Sequence, residues 1–319
     1  MYLIFLIIYL LFLYNQKLTY PLIHQNMYSF FTILFPSLFI SLVLIDFFKQ
    51  SNFLIKISKL LFPLLSKIFH LKYLKSVNIL LISIFCGSPG NVKLIKEAIE
   101  NNEIDTLEAN KLLPITSTLS LTYILTITSI YQQQITLNII LSYYLAHYIF
   151  FFFNNFNYNK KHIHQYKIKD TQKDTLINTL YNSINNNMKI LQNIFGVIIL
   201  FTAITSLIIN FFPNFKFIAF IFEINSGINL INTFPHLLLT ALVFLSFSIF
   251  LQMKNILTNI NLLKLIKNKI IIAIIANINL IILKNINLIT ISLNFQLIGI
   301  WILFIIFITV LFSFLFRTS

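Results

Sequence analysis

The sequence predicts an all-α polytopic membrane protein with about eight transmembrane helices and two re-entrant broken-helix elements, arranged in two related halves. Three observations predict this fold. The chain is 58% hydrophobic and only 10% charged, whereas soluble domains carry about 25% charged residues. Its apolar runs are separated by short Lys-rich blocks, so the net charge of +14 indicates cytoplasmic loops rather than nucleic-acid binding. Two of the apolar runs are interrupted by helix-breaking or charged residues.

The first interruption is Gly87-Ser88-Pro89-Gly90. The chain has five Gly and seven Pro, yet two Gly and one Pro fall within these four residues. Residues 76–86 before it cover about 16 Å as a helix, which is too short for a hydrocarbon core of roughly 30 Å. A backbone break at membrane depth is tolerated only where it is buried in protein or lines a cavity. We predict a half-helix that ends here; the alternative is an ordinary loop before a surface helix.

The helix after this interruption begins near Asn91, and Lys93 lies one turn inside it. The positive end of its dipole predicts a place for an anion or a polar ligand. Residues 91–113 hold most of the acidic side chains, and Asp105 and Glu108 have the spacing of a capping box. We predict a solvated helix-turn-helix over these residues.

Pro114 is predicted to open a further half-helix, which starts with a cluster of hydroxyl side chains. These hydroxyls either bind a ligand or bond to neighbouring helices, and the sequence favours neither. The cluster consists of Thr116, Ser117, Thr118, Ser120 and Thr122.

The second interruption surrounds Glu223, the only carboxylate after Asp174. An acidic side chain at mid-bilayer costs roughly 2.5 to 3.5 kcal/mol, and such residues mark ion or substrate sites. We predict that Glu223 meets a cation, a substrate or a water-filled cavity. The alternative is a glutamate at the outer interface, paired with Lys216. The polar residues that follow Glu223 are Asn225, Ser226 and Gly227.

The remaining sequence predicts a frame of spans around the two interruptions. A short apolar helix at residues 1–14 precedes the first convincing span, residues 28–48. Residues 49–75, interrupted at Pro63, are typical of an interfacial helix or the first arm of a re-entrant pair. Gln252 either faces a cavity or marks the membrane boundary. The further spans are residues 136–153, 191–209, 235–253, 270–283 and 292–316.

This frame divides the chain into an N-terminal membrane half at residues 1–153, a basic linker at 154–190 and a C-terminal membrane half at 191–319. The Lys-rich blocks place the linker and both termini in the cytoplasm. Composition is typical of an AT-rich bacterial genome, so we expect a multi-pass protein of the bacterial plasma membrane.

Nothing in the sequence predicts an enzyme or a resident cofactor. Cys86 is the single cysteine, which excludes a thiolate metal site within one chain. No HExxH motif, Walker loop or GxSxG elbow is present. A membrane-embedded enzyme is the weakest alternative, because no catalytic pair is visible.

The segment CGSPGNVKLIKEAIENNEIDTLEANKLL resembles the nucleoside-recognition, or Gate, domain of the sporulation integral membrane protein family. Two later segments, FEINSG and FLSFSIFLQ, resemble elements of the same family in the same order, and the resemblance covers most of residues 35–277. The matching positions are Gly87, Pro89, Lys93, Ile104, Glu108, Ala109, Leu112, Leu113, Glu223, Gly227, Phe244, Ser248 and Gln252.

Gate domains are related to concentrative nucleoside transporters. The resemblance therefore implies two inverted halves whose hairpins meet at a midplane site, and movement of a small polar or anionic solute. The chain departs from the family pattern at four places, one of which is Lys111, where the family usually has arginine. Asn91 replaces a glycine, Leu245 and Ser246 replace paired glycines, and residues 117–121 replace Asn-Asn-Ser-Gly-Pro.

These observations predict a transporter of a small polar, anionic or nucleoside-like solute, with coupling by Na⁺ or H⁺ left open. The alternative is a non-transporting membrane scaffold whose linker recruits a cytosolic partner. Predicted partners are the lipid bilayer and the solute, with no nucleic acid and with a homo-oligomer left open. The predicted substrate-binding residues are Gly87, Ser88, Pro89, Gly90, Asn91, Lys93, Ser117, Thr118, Ser120, Glu223, Asn225, Ser226, Gly227 and Gln252.

Overall fold

A computed structural model describes residues 2–50, 52–84, 86–155, 176–213, 219–231, 234–258 and 260–285, and this part of the chain is all-helical. A π-turn, Phe30–Leu34, joins the second and third helices. The α-helices are α1 (Tyr2–Tyr14), α2 (Gln16–Ser29), α3 (Phe35–Gln50), α4 (Asn52–Phe69), α5 (Leu74–Ser83), α6 (Gly90–Glu100), α7 (Thr106–Thr116), α8 (Leu121–Thr128), α9 (Gln133–Asn155), α10 (Leu176–Phe211), α11 (Ala219–Phe222), α12 (Ile224–Ile231), α13 (Pro235–Phe244), α14 (Phe247–Ile256) and α15 (Leu262–Asn285).

Five helical segments of the described chain are long and apolar enough to cross a bilayer, which makes the chain a multi-pass membrane protein. The predicted number was about eight, and the predicted span 292–316 lies outside the described residues. The five segments are Gln16–Asp46, Gln133–Asn155, Ile177–Phe211, Pro235–Ile256 and Leu262–Asn285.

The first long helix starts earlier than predicted. It runs from Gln16 rather than from residue 28, because α2, the π-turn and α3 are continuous. The π-turn lies directly before Pro36, whose missing N–H interrupts the i→i−4 ladder. The sequence did not predict this continuity because α2 contains polar residues. Two of them, Thr19 and Asn26, are buried, and α2 packs against α10.

The amphipathic helix α4 passes through Pro63 without a break, so the predicted interruption there is wrong. Its exposed surface carries Lys56, Lys59 and Lys67 beside Leu60 and Leu64. This pattern is typical of a helix that lies along a membrane interface. Its other face packs against α5 and α9.

In the described part of the chain, four breaks separate short helices in two pairs: α5 from α6 and α7 from α8, and then α11 from α12 and α13 from α14. The sequence predicted the breaks after α5 and at Glu223. It placed the start of the second half-helix at Pro114, but Pro114 lies within α7 and the break is at residues 117–120. The predicted span 235–253 is confirmed as a segment long enough to cross a bilayer, but Leu245 adopts φ 78°, ψ −100° within it and separates α13 from α14.

The α6–α7 hairpin is less solvated than predicted. Its turn at Asn101 and Asn102 is exposed, but Glu108 is fully buried and Lys111 is 6% exposed. The capping box is half formed: the Asp105 carboxylate accepts from Glu108 N at 2.6 Å. The Glu108 carboxylate turns to the start of α5 instead, so the hairpin is packed onto the half-helix before the first break.

The long helices enclose the interrupted ones. The C-terminal helix α15 packs against α9 and α13, and α10 packs against α2 and α3. Helix α10 already begins at Leu176 and so includes the second part of the predicted linker. The first part of that linker, residues 156–175, lies outside the described residues.

Candidate functional site

Three of the four breaks, together with the part of α14 that follows the fourth break, contribute to the lining of one cavity. The cavity volume is about 30 Å³, which is space for only a few water molecules. Helices α3 and α10 close it from the side. The lining residues are Leu34, Leu38, Ser88, Pro89, Leu119, Ser120, Tyr123, Ile194, Ile198, Glu223, Ile224, Asn225, Ser248, Ile249 and Gln252.

The two breaks of the N-terminal half cross in direct contact. Ser88 N donates to Thr118 O at 2.6 Å. A Cβ atom on Gly87 would lie 2.7 Å from Ser120 N and 3.2 Å from Ser120 Cβ. Only glycine therefore allows the two backbones to approach this closely.

The Asn91 amide holds these two breaks together. Its Nδ2 lies 2.6 Å from Cys86 O, 2.6 Å from Thr116 O and 3.3 Å from Ser83 O. These carbonyls belong to the ends of α5 and α7, which have no further intrahelical partners. In this geometry the side chain of Asn91 supports the backbone behind the cavity and does not line it.

Glu223 is fully buried and is surrounded by hydrogen-bond donors. Its Oε2 accepts from Ser226 N at 2.8 Å, from Ser226 Oγ at 3.2 Å and from Asn26 Nδ2 at 3.3 Å. Its Oε1 accepts from Asn225 Nδ2 at 3.1 Å. In the described part of the chain the carboxylate forms no salt bridge, so neutral donors and the start of α12 stabilise its charge.

Four helices, α6, α8, α12 and α14, begin at the cavity wall. Ser120 Oγ accepts from Tyr123 N at 3.3 Å and caps α8, and Ser246 Oγ accepts from Ile249 N at 3.5 Å and caps α14. Each helix start carries partial positive charge. Their convergence offsets the charge of the buried Glu223, and no basic side chain of the described residues lines the cavity.

Two polar side chains of the cavity wall have no hydrogen-bond partner among the described residues. Ser88 is 6% exposed and its Oγ is unpaired. The Gln252 amide is 7% exposed and makes no hydrogen bond within the same part of the chain. A buried polar group without a partner costs about 1 to 3 kcal/mol, so both are positioned for water or a solute.

The structure brings some of the predicted site residues together and separates others. Lys93 lies 3.9 Å from Asp46 Oδ1 and 3.5 Å from Asn187 Oδ1, away from the cavity. Those that line the cavity are Ser88, Pro89, Ser120, Glu223, Asn225 and Gln252. Those that lie behind or beside it are Gly87, Gly90, Asn91, Lys93, Ser117, Thr118, Ser226 and Gly227.

Sequence reasoning missed several polar residues of this site. Asn26 lies before the predicted first span, yet it contacts Glu223 and donates to Thr202 Oγ1 at 2.7 Å. Tyr123 donates to Asn225 Oδ1 at 2.7 Å. Ser248 lines the cavity from α14. Tyr123 and Ser248 lie in mainly apolar helices, where a polar residue faces the protein interior more often than lipid. Asn26 lies in the polar helix α2 and carries no such signal.

Among the described residues, no group of three or more His, Cys, Asp or Glu side chains is close enough to hold a metal ion. A cation at this site would meet the Glu223 carboxylate together with hydroxyl and amide oxygens.

Comparisons with protein-family models, with curated proteins and with solved structures find no match to this chain.

Proposed function

We propose that the chain is a membrane transporter of a small polar, nucleoside-like solute. The observation that supports this function is the convergence on one cavity of a buried carboxylate and of four helices that each begin after a break, α6, α8, α12 and α14. Irregular backbone at membrane depth is stable where it lines a cavity. Transporters use such broken helices, with their converging helix ends, as solute sites. The sequence resemblance to Gate domains and the paired order of the breaks along the chain support the same proposal.

The polar groups on the cavity wall favour an uncharged solute. Ser88 offers a buried unpaired hydroxyl and Gln252 an amide on the cavity wall, and both groups can donate and accept hydrogen bonds. No lysine or arginine of the described residues lines the cavity, and Lys93 contacts Asp46 and Glu97 instead. An anionic solute would therefore meet the Glu223 carboxylate with only helix starts to compensate its charge. A neutral heterocycle with amide-like groups therefore fits this cavity better than an anionic solute such as an aromatic dicarboxylate.

The cavity is small in this conformation. Room for a few waters is far less than the roughly 300 to 1,000 Å³ of pockets for drug-sized ligands. Solute entry therefore requires that α6 and α8 move relative to α3 and α10, as in alternating access. We propose that the chain lies in the bacterial plasma membrane with both termini in the cytoplasm, because Lys-rich loops favour the cytoplasmic side.

Transport into proteoliposomes tests the proposal. Purified protein would be assayed with radiolabelled nucleosides and with aromatic dicarboxylates, under sodium, potassium and proton gradients in turn. We expect saturable uptake of at least one nucleoside, a loss of about tenfold or more in Gln252→Ala and Glu223→Gln, and full activity in the control Lys267→Ala, which changes an exposed residue. Absence of uptake across the panel, together with a stable cytosolic partner in cross-linking, would favour the scaffold alternative.

A further inference from the structure

Lys269 is a fully buried lysine inside the apolar helix α15. Its Nζ donates to the backbone carbonyl of Ser117 and lies 3.0 Å from His147 Nε2. Among the described residues it forms no salt bridge with a carboxylate. A buried amine without an acidic partner is costly, so this position requires an explanation.

The histidine presents an acceptor to this amine. His147 Nδ1 lies 2.8 Å from the carbonyl of Tyr143, and a carbonyl only accepts, so Nδ1 carries the proton. In the neutral ring Nε2 is then the acceptor, and Lys269 Nζ donates to it. Both partners of the amine therefore present lone pairs, which suits an ammonium group.

Ser117 is the C-cap of α7 and the first residue of the break. The carbonyls on either side of it have other donors: Thr116 O accepts from Asn91 Nδ2, and Thr118 O accepts from Ser88 N. Ser117 O is bonded by Lys269. The amine thus occupies the negative end of the α7 dipole, where a positive charge is favoured.

Transporters with broken helices commonly coordinate a coupling cation at this kind of position, with unwound carbonyls and the C-terminal end of a half-helix. We propose that the Lys269 ammonium is a tethered cation that takes the place of such a bound ion, so that this break needs no sodium to be stable. The proposal rests on the geometry of the break and not on the transport function.

The proposal is tested by removing the Lys269 side chain and asking whether an added cation restores stability. Lys269→Ala leaves the Ser117 carbonyl unpaired beside a space vacated by the side chain. We expect its melting temperature to fall by roughly 5 °C or more. Sodium or methylammonium chloride should then raise it again with saturable dependence, whereas choline chloride at equal ionic strength should not. Lys267→Ala, two residues away and exposed, is the matched control and should show neither effect.

A second variant separates charge from hydrogen bonding. Lys269→Gln keeps a neutral donor of similar length, and we expect it to remain less stable than the native protein. Native-like stability of Lys269→Gln, or no recovery of Lys269→Ala in any cation, would overturn the proposal. If Lys269→Ala is lost during purification, extraction yield from membranes in the three salts replaces the melting temperature. Equal yields in the three salts would also overturn it. Neither measurement depends on solute transport.

Discussion

Tyr123 and Asn225 connect the two pairs of interrupted helices through one buried hydrogen bond. Tyr123 Oη on α8 donates to Asn225 Oδ1 on α12 at 2.7 Å, and both side chains line the cavity. Asn225 Nδ2 in turn donates to Glu223 Oε1 at 3.1 Å. A polar chain therefore runs from the N-terminal pair of breaks to the buried carboxylate.

Tyr123→Phe should weaken this connection. The substitution keeps the ring and leaves Asn225 Oδ1 buried without a donor, so we expect a loss of about 1 to 3 kcal/mol in unfolding free energy. Thermal unfolding in detergent measures it. Tyr181→Phe is the control, since Tyr181 is 67% exposed and its substitution should leave stability nearly unchanged. Equal effects of the two variants would show that the hydrogen bond contributes nothing.

The glycine at the crossing of the first two breaks should not tolerate a methyl group. In Gly87→Ala the new Cβ would lie 2.7 Å from the backbone nitrogen of Ser120, so one of the backbones must shift. We expect a loss of about 1 to 3 kcal/mol. Gly196 in α10 has no atom within 4 Å of such a Cβ, and Gly196→Ala should stabilise the helix by up to about 1 kcal/mol. Unfolding curves of the two variants should therefore show changes in unfolding free energy of opposite sign.

Gly87 and Glu223 show what the sequence alone could predict. Glycine, proline and charge are rare in this chain, so their appearance within apolar runs indicated two of the breaks. The break at residues 117–120 was misplaced at Pro114 because proline is tolerated in the last turn when its neighbours satisfy the freed groups. The break at Leu245 has no helix-breaking residue, and tertiary packing imposes its backbone conformation.

The sequence also predicted only some of the residues that form the site. Ser88, Glu223 and Gln252 are polar residues next to visible irregularities. Asn26 and Tyr123 lie within regular helices, and which face of an apolar helix meets the protein rather than lipid depends on the packing of other helices. Asn91 was predicted as a ligand-binding residue, but its donors are used by three backbone carbonyls that only the folded chain brings together.

At Leu245 we expect the glycine variant to be more stable than the alanine variant, which is the reverse of the usual order in a helix. Its φ of 78° is strained for any residue with a Cβ, at about 1 to 3 kcal/mol. Leu245→Ala loses the buried side chain and keeps this strain, whereas Leu245→Gly loses the side chain and relieves it. We expect the glycine variant to be the more stable by about 1 kcal/mol. At the buried helical residue Leu242 the order should be the ordinary one, with glycine less stable by about 1 kcal/mol. The same order at both positions would contradict the strain argument.

Glu108 should make stability fall as pH rises. Burial raises the pKa of its carboxyl above the usual value, although Lys72 N, Lys111 and Ser76 partly oppose the shift. A carboxyl whose folded pKa is raised contributes stability below its unfolded pKa, and this contribution is lost as pH rises through the folded pKa. Glu108→Gln keeps an acceptor for Lys72 N and Ser76 Oγ but does not titrate in this range.

We therefore expect the native protein to lose stability relative to Glu108→Gln between the ordinary glutamate pKa and the raised one. Unfolding curves at half-unit pH steps measure the difference. Asp105 lies nearby, and its pKa is shifted in the opposite direction, below the usual value. Burial raises its pKa, but hydrogen bonds from Glu108 N and Tyr73 and the charge of Lys72 outweigh this effect and lower the pKa. Its contribution is lost as pH falls, and it is common to both proteins, so it cancels in the comparison.

A polar cluster at the far end of α3 should control access to the cavity. Asp46 Oδ2 accepts from Ser183 Oγ at 2.9 Å and from Asn187 Nδ2 at 3.0 Å, and Lys93 Nζ lies 3.9 Å from Asp46 Oδ1. The cluster joins α3 and α10 to α6, the helices that separate in the proposed transport cycle. Cys86, the single cysteine, is buried beside the first break and reports on this separation through its reaction with a maleimide.

Asp46→Ala should raise the labelling rate of Cys86 in membranes by about tenfold, because loss of hydrogen bonds to a charged group costs about 1.5 to 3 kcal/mol in this conformation. Glu100→Gln is the control: it removes an exposed ion pair with Lys96 on the same helix, at 3.8 Å, and should leave the rate unchanged. A raised rate in both variants would indicate general loosening of α6. An unchanged rate in both would mean that the small cavity is held by its apolar wall alone, since Leu38 and Ile198 would then keep α3 and α10 in place without the polar cluster.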